Sequence, residues 1–139
     1  MKKLSFAPIC ALLLIMNMSC KKAVQNKQED LIVKAITDGI WKVDTYVEVS
    51  TDITTDFLNY DFKFNADGTV TGTRSGVSSN GTWIGSAADY SITSNFPTAG
   101  APLQKLNGYW KITDSYWDYV EAEMTVTGGK NILHLRKKP

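Results

Sequence analysis

The alternation of apolar and polar residues after residue 40 limits the fold of this chain more than any other feature. Residues expected to be buried alternate with residues expected to be exposed. The first set is Trp41, Val43, Thr45, Val47 and Val49, and the second is Lys42, Asp44, Tyr46 and Glu48. The same period of two returns in Leu58, Tyr60, Phe62 and Phe64. A strand with one buried face produces this period, so the pattern predicts half-buried β-strands.

Turn signals divide the remaining chain into further short strands. Asn65-Ala66-Asp67-Gly68 is a hairpin signal, and Gly128-Gly129 predicts the turn before the last strand. We expect strands near 41–49, 58–64, 69–74, 81–85, 88–95, 105–113, 117–127 and 131–137, with a looser link at 97–102. Eight short strands joined mostly by short turns favour an all-β antiparallel meander closed into a barrel, or a sandwich. Closure also removes exposed strand edges.

One short helix is expected before the first strand. Leu31 with Ala35 and Ile32 with Ile36 are spaced four residues apart, and Gly39 is a plausible stop. The helix should cover about residues 28–37.

The first twenty residues fit an export signal. Lys2 and Lys3 precede an apolar run over residues 9–16, and Ser19 stands immediately before Cys20. The run is about half of the roughly 20 residues that a membrane-spanning helix needs. Asn17-Met18-Ser19-Cys20 resembles the lipobox of bacterial lipoproteins, although Asn17 replaces the usual apolar residue.

The sequence therefore predicts a lipoprotein signal over residues 1–19, acyl groups on Cys20, a flexible tether over 20–30 and one domain over 31–139. Removing the signal takes two lysines and no acids, which changes the net charge from +1 to −1. A near-neutral domain lacks the electrostatic footprint of a nucleic-acid binder. Cys20 would be the only remaining cysteine, so stability must come from the core rather than from an internal disulfide.

A short motif occurs three times: Asp or Asn, then Gly, any residue, and Trp. Its tryptophans are Trp41, Trp83 and Trp110. We interpret the glycine as opening a strand where the backbone turns, and the tryptophan as the first inward side chain. The expected interior, or ligand-lining, set is Trp41, Val43, Tyr60, Phe62, Phe64, Trp83 and Trp110.

These features together resemble the lipocalin-like domains of small Bacteroides-group lipoproteins. The segments 60–70 and 106–112, with the Gly-x-Trp before the first strand, carry the likeness, which covers about residues 30–137. The resemblance implies a small eight-stranded barrel. In lipocalins an arginine near the end of the last strand packs on the first tryptophan. Arg136 has a suitable place, but its alternation with Leu133 and Leu135 points it outward.

Residues for catalysis are few. His134 is the only histidine, and it is expected on the outer face with Arg136. Glu121 and Glu123 share a strand face opposite apolar neighbours, whereas glycosidase carboxylates must flank the sugar from opposite sides. With one acylated cysteine, nucleophilic and zinc sites also lack partners. We expect no enzyme, no metal and no cofactor.

Two functions remain open. In one, the barrel holds a small hydrophobic ligand in the cell envelope; in the other, a filled barrel contacts an envelope protein. Eight strands enclose space for side chains or one small ligand. Trp117 is expected to be partly exposed and is the candidate contact residue. Lys21 and Lys22 after the cysteine, without an acidic cluster, favour an outer-membrane location facing the periplasm.

Overall fold

A computed structural model describes Lys27 and residues 30–139 of the chain. The expected signal, Cys20 and most of the expected tether lie outside the described residues. Residues 30–37 are helical, as the four-residue spacing predicts. The helix stops before Gly39, which adopts a φ of 85°. The Lys63 ammonium donates hydrogen bonds to the carbonyls of Thr37 (2.6 Å) and Gly39 (3.2 Å), which ties the end of the helix to the barrel.

Nine strands follow in the described part of the chain. They are β1 (Trp41–Glu48), β2 (Thr51–Asp52), β3 (Asp61–Phe64), β4 (Thr69–Arg74), β5 (Val77–Ser86), β6 (Ser91–Asn95), β7 (Gly108–Tyr116), β8 (Tyr119–Val126) and β9 (Gly129–Lys137). Two 3₁₀ turns, Thr54–Phe57 and Leu103–Leu106, interrupt the connections before β3 and before β7.

The strands form one closed antiparallel barrel. The start of β1 pairs with β3, each strand from β3 to β9 pairs with the next, and the pairing of β1 with β9 closes the ring. The two-residue β2 pairs only with the end of β1, so it extends the sheet locally and the barrel has eight main strands. The predicted eight-stranded meander with one short helix is therefore confirmed, and the alternative of an open sandwich is excluded.

Strand direction defines two ends of the barrel. Because neighbouring strands are antiparallel, the turns at 65–68, 87–90 and 117–118 lie at the end where β1 begins, and the helix leads into β1 there. We call this the helix end. The connections at 49–60, 75–76, 96–107 and 127–128 lie at the opposite end, which we call the far end.

A β-bulge in β1 changes the predicted face of several residues. Val43 pairs with Leu135 but Thr45 pairs with His134, so Asp44 is the extra residue. A bulge reverses the alternation that follows it. Tyr46, predicted to face outward, is therefore fully buried, whereas Val49, predicted to face inward, is exposed.

Several strand starts also differ from the prediction, and for three of them a turn or an extra pairing explains the shift. The strand expected at residue 58 begins at Asp61, because the preceding 3₁₀ turn buries Phe57 and leaves Leu58 exposed. The strand expected at 81 begins at Val77, because residues 77–80 pair with the end of β4. The strand expected at 105 begins at Gly108, since Leu103–Leu106 forms a turn whose two leucines enter the core.

Candidate functional site

The barrel interior is almost completely filled. Between its side chains remains a cavity of about 40 Å³. All of its lining side chains except Ser94 are apolar; they are Phe62, Phe64, Val70, Ile92, Ser94, Phe96, Leu106, Trp110, Val120, Ala122, Leu133 and Leu135. A water molecule needs roughly 10–15 Å³ on this scale and two or more polar partners. The space is thus suited to a few small apolar atoms rather than to a bound metabolite.

Both ends of the barrel are plugged by local structure. At the far end Leu103 packs over Gly72, where a Cβ atom would lie only 3.2 Å from the Leu103 side chain. Phe57 stacks on Tyr46 with ring centroids 5.2 Å apart. At the helix end Ile36 is buried over the start of β1. These buried side chains narrow the barrel at both ends.

The expected interior residues occupy three different places. Phe62, Phe64 and Trp110 line the central cavity. Trp41, Val43 and Trp83 are buried but lie away from it. Tyr60 is partly buried and packs against the core. Because residue 60 precedes β3, its ring lies at the barrel edge, stacked on Phe62 (5.9 Å) and covered by the Arg74 guanidinium at 4.3 Å.

The three repeated tryptophans share one polar interaction. Each indole Nε1 donates a 2.9 Å hydrogen bond to a backbone carbonyl: Trp41 to Ile36, Trp83 to Asn65 and Trp110 to Leu106. Each tryptophan therefore joins the core to a helix, a hairpin or a 3₁₀ turn. The proposed role of the glycine is wrong for Gly81, which lies within β5. There a Cβ atom would meet the Asn95 carbonyl at 2.5 Å, so close packing requires the glycine.

Tyr46 is a central core residue that the sequence did not indicate. Its hydroxyl donates to the Lys105 carbonyl at 2.7 Å and accepts from Asn131 Nδ2 at 3.4 Å. Its ring meets Trp110 edge-on at 5.8 Å. Burial raises the pKa of Tyr46 to about 12, and the Glu48 charge acts in the same direction. Only the bulge at Asp44 brings this side chain inside, and no sequence period marks a bulge.

Three of the four exposed aromatic residues in the described part of the chain lie at the helix end. Tyr90, Tyr116 and Trp117, which we call the aromatic rim, come from the turns at 87–90 and 117–118 and their borders. Tyr90 and Tyr116 also border a cavity of about 60 Å³ beneath the helix, together with Ile32. Trp117 is exposed as expected, and the Lys137 ammonium lies 4.7 Å from its ring centroid.

The resemblance to lipocalins suggested Arg136 as the residue packed on Trp41, but in the structure Lys137 has this position. Its ammonium lies 5.2 Å from the Trp41 ring centroid. Arg136 points outward, as its alternation predicts, and lies over Tyr119 and beside Asp44 at 3.6 Å. Lys137 lies two residues after Leu135 on the same strand, so its side chain points to the same, inward side. This explains why Lys137 rather than Arg136 contacts Trp41.

The outer wall carries the remaining titratable candidates. His134 Nε2 lies 3.5 Å from Glu121 Oε1, and Glu123 accepts a hydrogen bond from Lys130 at 2.6 Å. Both glutamates are paired across the sheet, so they do not face one another over a cleft. Desolvation and hydrogen bonds with Glu121 and Asp114 raise the pKa of Tyr119. Within residues 30–139 no three potential ligands converge on a metal position.

An open groove of about 240 Å³ also lies on the outer wall. It runs along β7 and β8 and is lined by Tyr109, Lys111, Glu123, Met124 and Thr125. Two of the five side chains are charged and of opposite sign, so the groove has no marked charge preference. Among the described residues, no helix has the length and apolar character needed to cross a membrane.

The fold and its core define a small closed antiparallel β-barrel, and comparison with known proteins agrees. No protein-family model and no curated protein matches the sequence. The crystal structure of a DUF4847 family protein from Bacteroides vulgatus is similar, with a TM-score of 0.55 and 15% sequence identity. The match covers 78% of this chain and 99% of that one. At this identity the likeness supports the barrel fold alone.

Proposed function

We propose that this protein is a lipoprotein of the cell envelope, anchored through Cys20, whose filled barrel acts as an interaction module. In this proposal it carries no enclosed ligand and performs no catalysis. The observation that carries the proposal is the central cavity of only about 40 Å³. Pockets for small molecules usually enclose roughly 300–1,000 Å³. Because the cavity is so much smaller than such pockets, we favour contact with a partner through the outer surface over storage of a ligand inside the barrel.

The anchor rests on the sequence. A basic start, a short apolar run and Ser19-Cys20 support acylation. Two or more acyl chains hold a protein on a bilayer, because each buried CH₂ contributes roughly 0.8 kcal/mol. We also propose that the protein lies on the outer membrane and faces the periplasm, because Lys21 and Lys22 follow the cysteine and no acidic cluster accompanies them.

A small hydrophobic ligand is the second candidate. The observation that favours it is the lining of the central cavity, in which Ser94 is the only polar residue. A ligand would have to displace plugging side chains such as Leu103 or Phe96, both of which are buried. Close-packed interiors resist such changes. The second candidate therefore requires a rearranged barrel.

Ligand titration separates the two candidates. We expect the wild-type protein to bind neither cis-parinaric acid, followed by its fluorescence, nor benzene, followed by calorimetry. Leu135→Ala should enlarge the cavity and admit benzene, because an apolar cavity of about 150 Å³ is enough for that molecule. Ile132→Ala, on the outer side of the same strand, is the matched control and should bind nothing. Micromolar, saturable binding of cis-parinaric acid by the wild type would overturn the proposal in favour of the ligand carrier.

A further inference from the structure

The aromatic rim exposes three aromatic side chains at one end of the barrel. Tyr90, Tyr116 and Trp117 are 49%, 71% and 55% exposed. They come from two separate connections yet lie at one end of the molecule. Leu31, in the helix, is 63% exposed beside Ile32, which shares the cavity beneath the helix with Tyr90 and Tyr116. These side chains thus surround the helix end.

The chain reaches this end from the proposed anchor. The helix leads directly into β1 at the helix end, and only residues 21–29 separate Cys20 from Asp30. Even fully extended, ten residue steps span at most about 35 Å. An acylated Cys20 would therefore keep the helix end within about 35 Å of the bilayer.

The chemistry of the rim fits the surface of a lipid bilayer. Tyrosine and tryptophan prefer the headgroup region, where the apolar ring is buried and the polar atom stays hydrated. Two basic side chains of this end are already paired, Lys137 with Asp38 at 3.2 Å and Lys138 with Asp61 at 2.8 Å. Because insertion of an aromatic ring needs no charge, the dependence of this contact on salt should be small.

We infer that the helix end of the barrel docks on the bilayer, with the aromatic rim in the headgroup region and the far end directed away from the membrane. The inference rests on the proposed acylation of Cys20. Acyl chains on a tether limit the distance between the barrel and the bilayer but leave the orientation of the barrel free. Contact through the aromatic rim would fix that orientation. The far end and the outer wall would then be presented to other envelope components.

Quenching of tryptophan fluorescence tests this arrangement in the full acylated protein. The protein is reconstituted in phosphatidylethanolamine–phosphatidylglycerol vesicles that contain a lipid with a nitroxide on its headgroup. Trp41, Trp83 and Trp110 are buried and supply a constant background. We expect the nitroxide to quench a component that is present in the wild type and absent from Trp117→Phe, and we expect 0.5 M salt to leave it unchanged.

Val77 provides a matched control at the far end. It is 71% exposed at the start of β5. In the double variant Trp117→Phe, Val77→Trp, the new tryptophan should not be quenched. Equal quenching at positions 77 and 117, or none at 117 in protein that carries acyl groups and floats with the vesicles, would overturn the docking and leave the anchoring intact.

Protein without acyl groups on Cys20 would contradict the proposed function itself and the docking with it. A photo-crosslinker at position 117 that captures a protein rather than lipid in cells would also overturn the docking.

Discussion

The hydroxyl of Tyr46 and the backbone carbonyl of Lys105 form a 2.7 Å hydrogen bond across 59 residues of sequence. The bond joins β1 to the 3₁₀ turn that plugs the far end. The same turn is held by an ion pair between the Lys105 ammonium and Glu48, also on β1. Tyr46 thus keeps the barrel closed at the end opposite the helix.

Tyr46→Phe should lower the free energy of unfolding by about 1–2 kcal/mol. The variant keeps the ring contacts with Phe57 and Trp110 but leaves the Lys105 carbonyl without its partner. Urea unfolding at pH 7 measures the difference. Tyr109→Phe, at an exposed tyrosine, is the matched control and should change stability by less than about 0.5 kcal/mol. A cost for Tyr46→Phe as small as that of the control would contradict the role given to the hydroxyl.

Stability should also depend on Tyr46 at alkaline pH. Burial raises the pKa of Tyr46 from 10.0 to about 12, so between these values the native state holds a proton that the unfolded state has lost. The resulting stability is complete below pH 10 and disappears as the pH rises towards 12. Urea midpoints of the wild type should therefore fall more steeply from pH 10 to 12 than those of Tyr46→Phe. Parallel curves would show that Tyr46 ionises as an ordinary tyrosine.

The sequence predicts the fold class because the period of two survives in most strands. Phe62 and Phe64, or Leu133 and Leu135, alternate with polar residues and are buried as the pattern requires. The face of Tyr46 could not be predicted, because the bulge at Asp44 inserts one residue without a sequence mark. The error at Leu58 has a similar origin, since a 3₁₀ turn there buries Phe57 instead.

Alanine substitution should separate the tryptophans into two groups. Trp41→Ala, Trp83→Ala and Trp110→Ala each remove a buried ring and its hydrogen bond to a carbonyl, so each should cost roughly 3–5 kcal/mol. That is much of the 5–15 kcal/mol typical of a whole domain. Trp117→Ala should cost less than about 1 kcal/mol, because the ring is half exposed and its main neighbour is Lys137. Urea unfolding of the four variants gives the ranking, and a Trp117→Ala cost equal to that of Trp41→Ala would contradict it.

Gly81→Ala should destabilise the barrel by about 1–3 kcal/mol. Its Cβ atom would lie 2.5 Å from the Asn95 carbonyl and 2.9 Å from the Phe96 ring, and the first of these is backbone that cannot rotate away. Gly100→Ala is the control, since no atom lies within 4 Å of its Cβ position. Thermal unfolding of both variants measures the difference, and equal melting temperatures would contradict the close packing of β5 against residues 95 and 96.

The candidate site could be predicted only in part. The period places Trp41, Phe62, Phe64, Trp83 and Trp110 inside, and the turn around residue 117 leaves Trp117 outside. The volume between these side chains could not be predicted, because it depends on how Leu103, Leu106 and Phe96 fold back over the far end. A period gives the direction of each side chain, whereas a cavity depends on contacts between residues far apart in sequence.

Mass spectrometry of the protein extracted from its own membranes in mild detergent tests the central claim most directly. The account predicts a chain that begins at Cys20, carries acyl groups on that residue and releases no stoichiometric small molecule under native conditions. The Cys20→Ala variant should lack the acyl mass and should no longer enter the membrane fraction. An unmodified Cys20 in the membrane-bound protein, or a small apolar molecule retained by the native barrel at one per chain, would contradict an anchored and filled barrel.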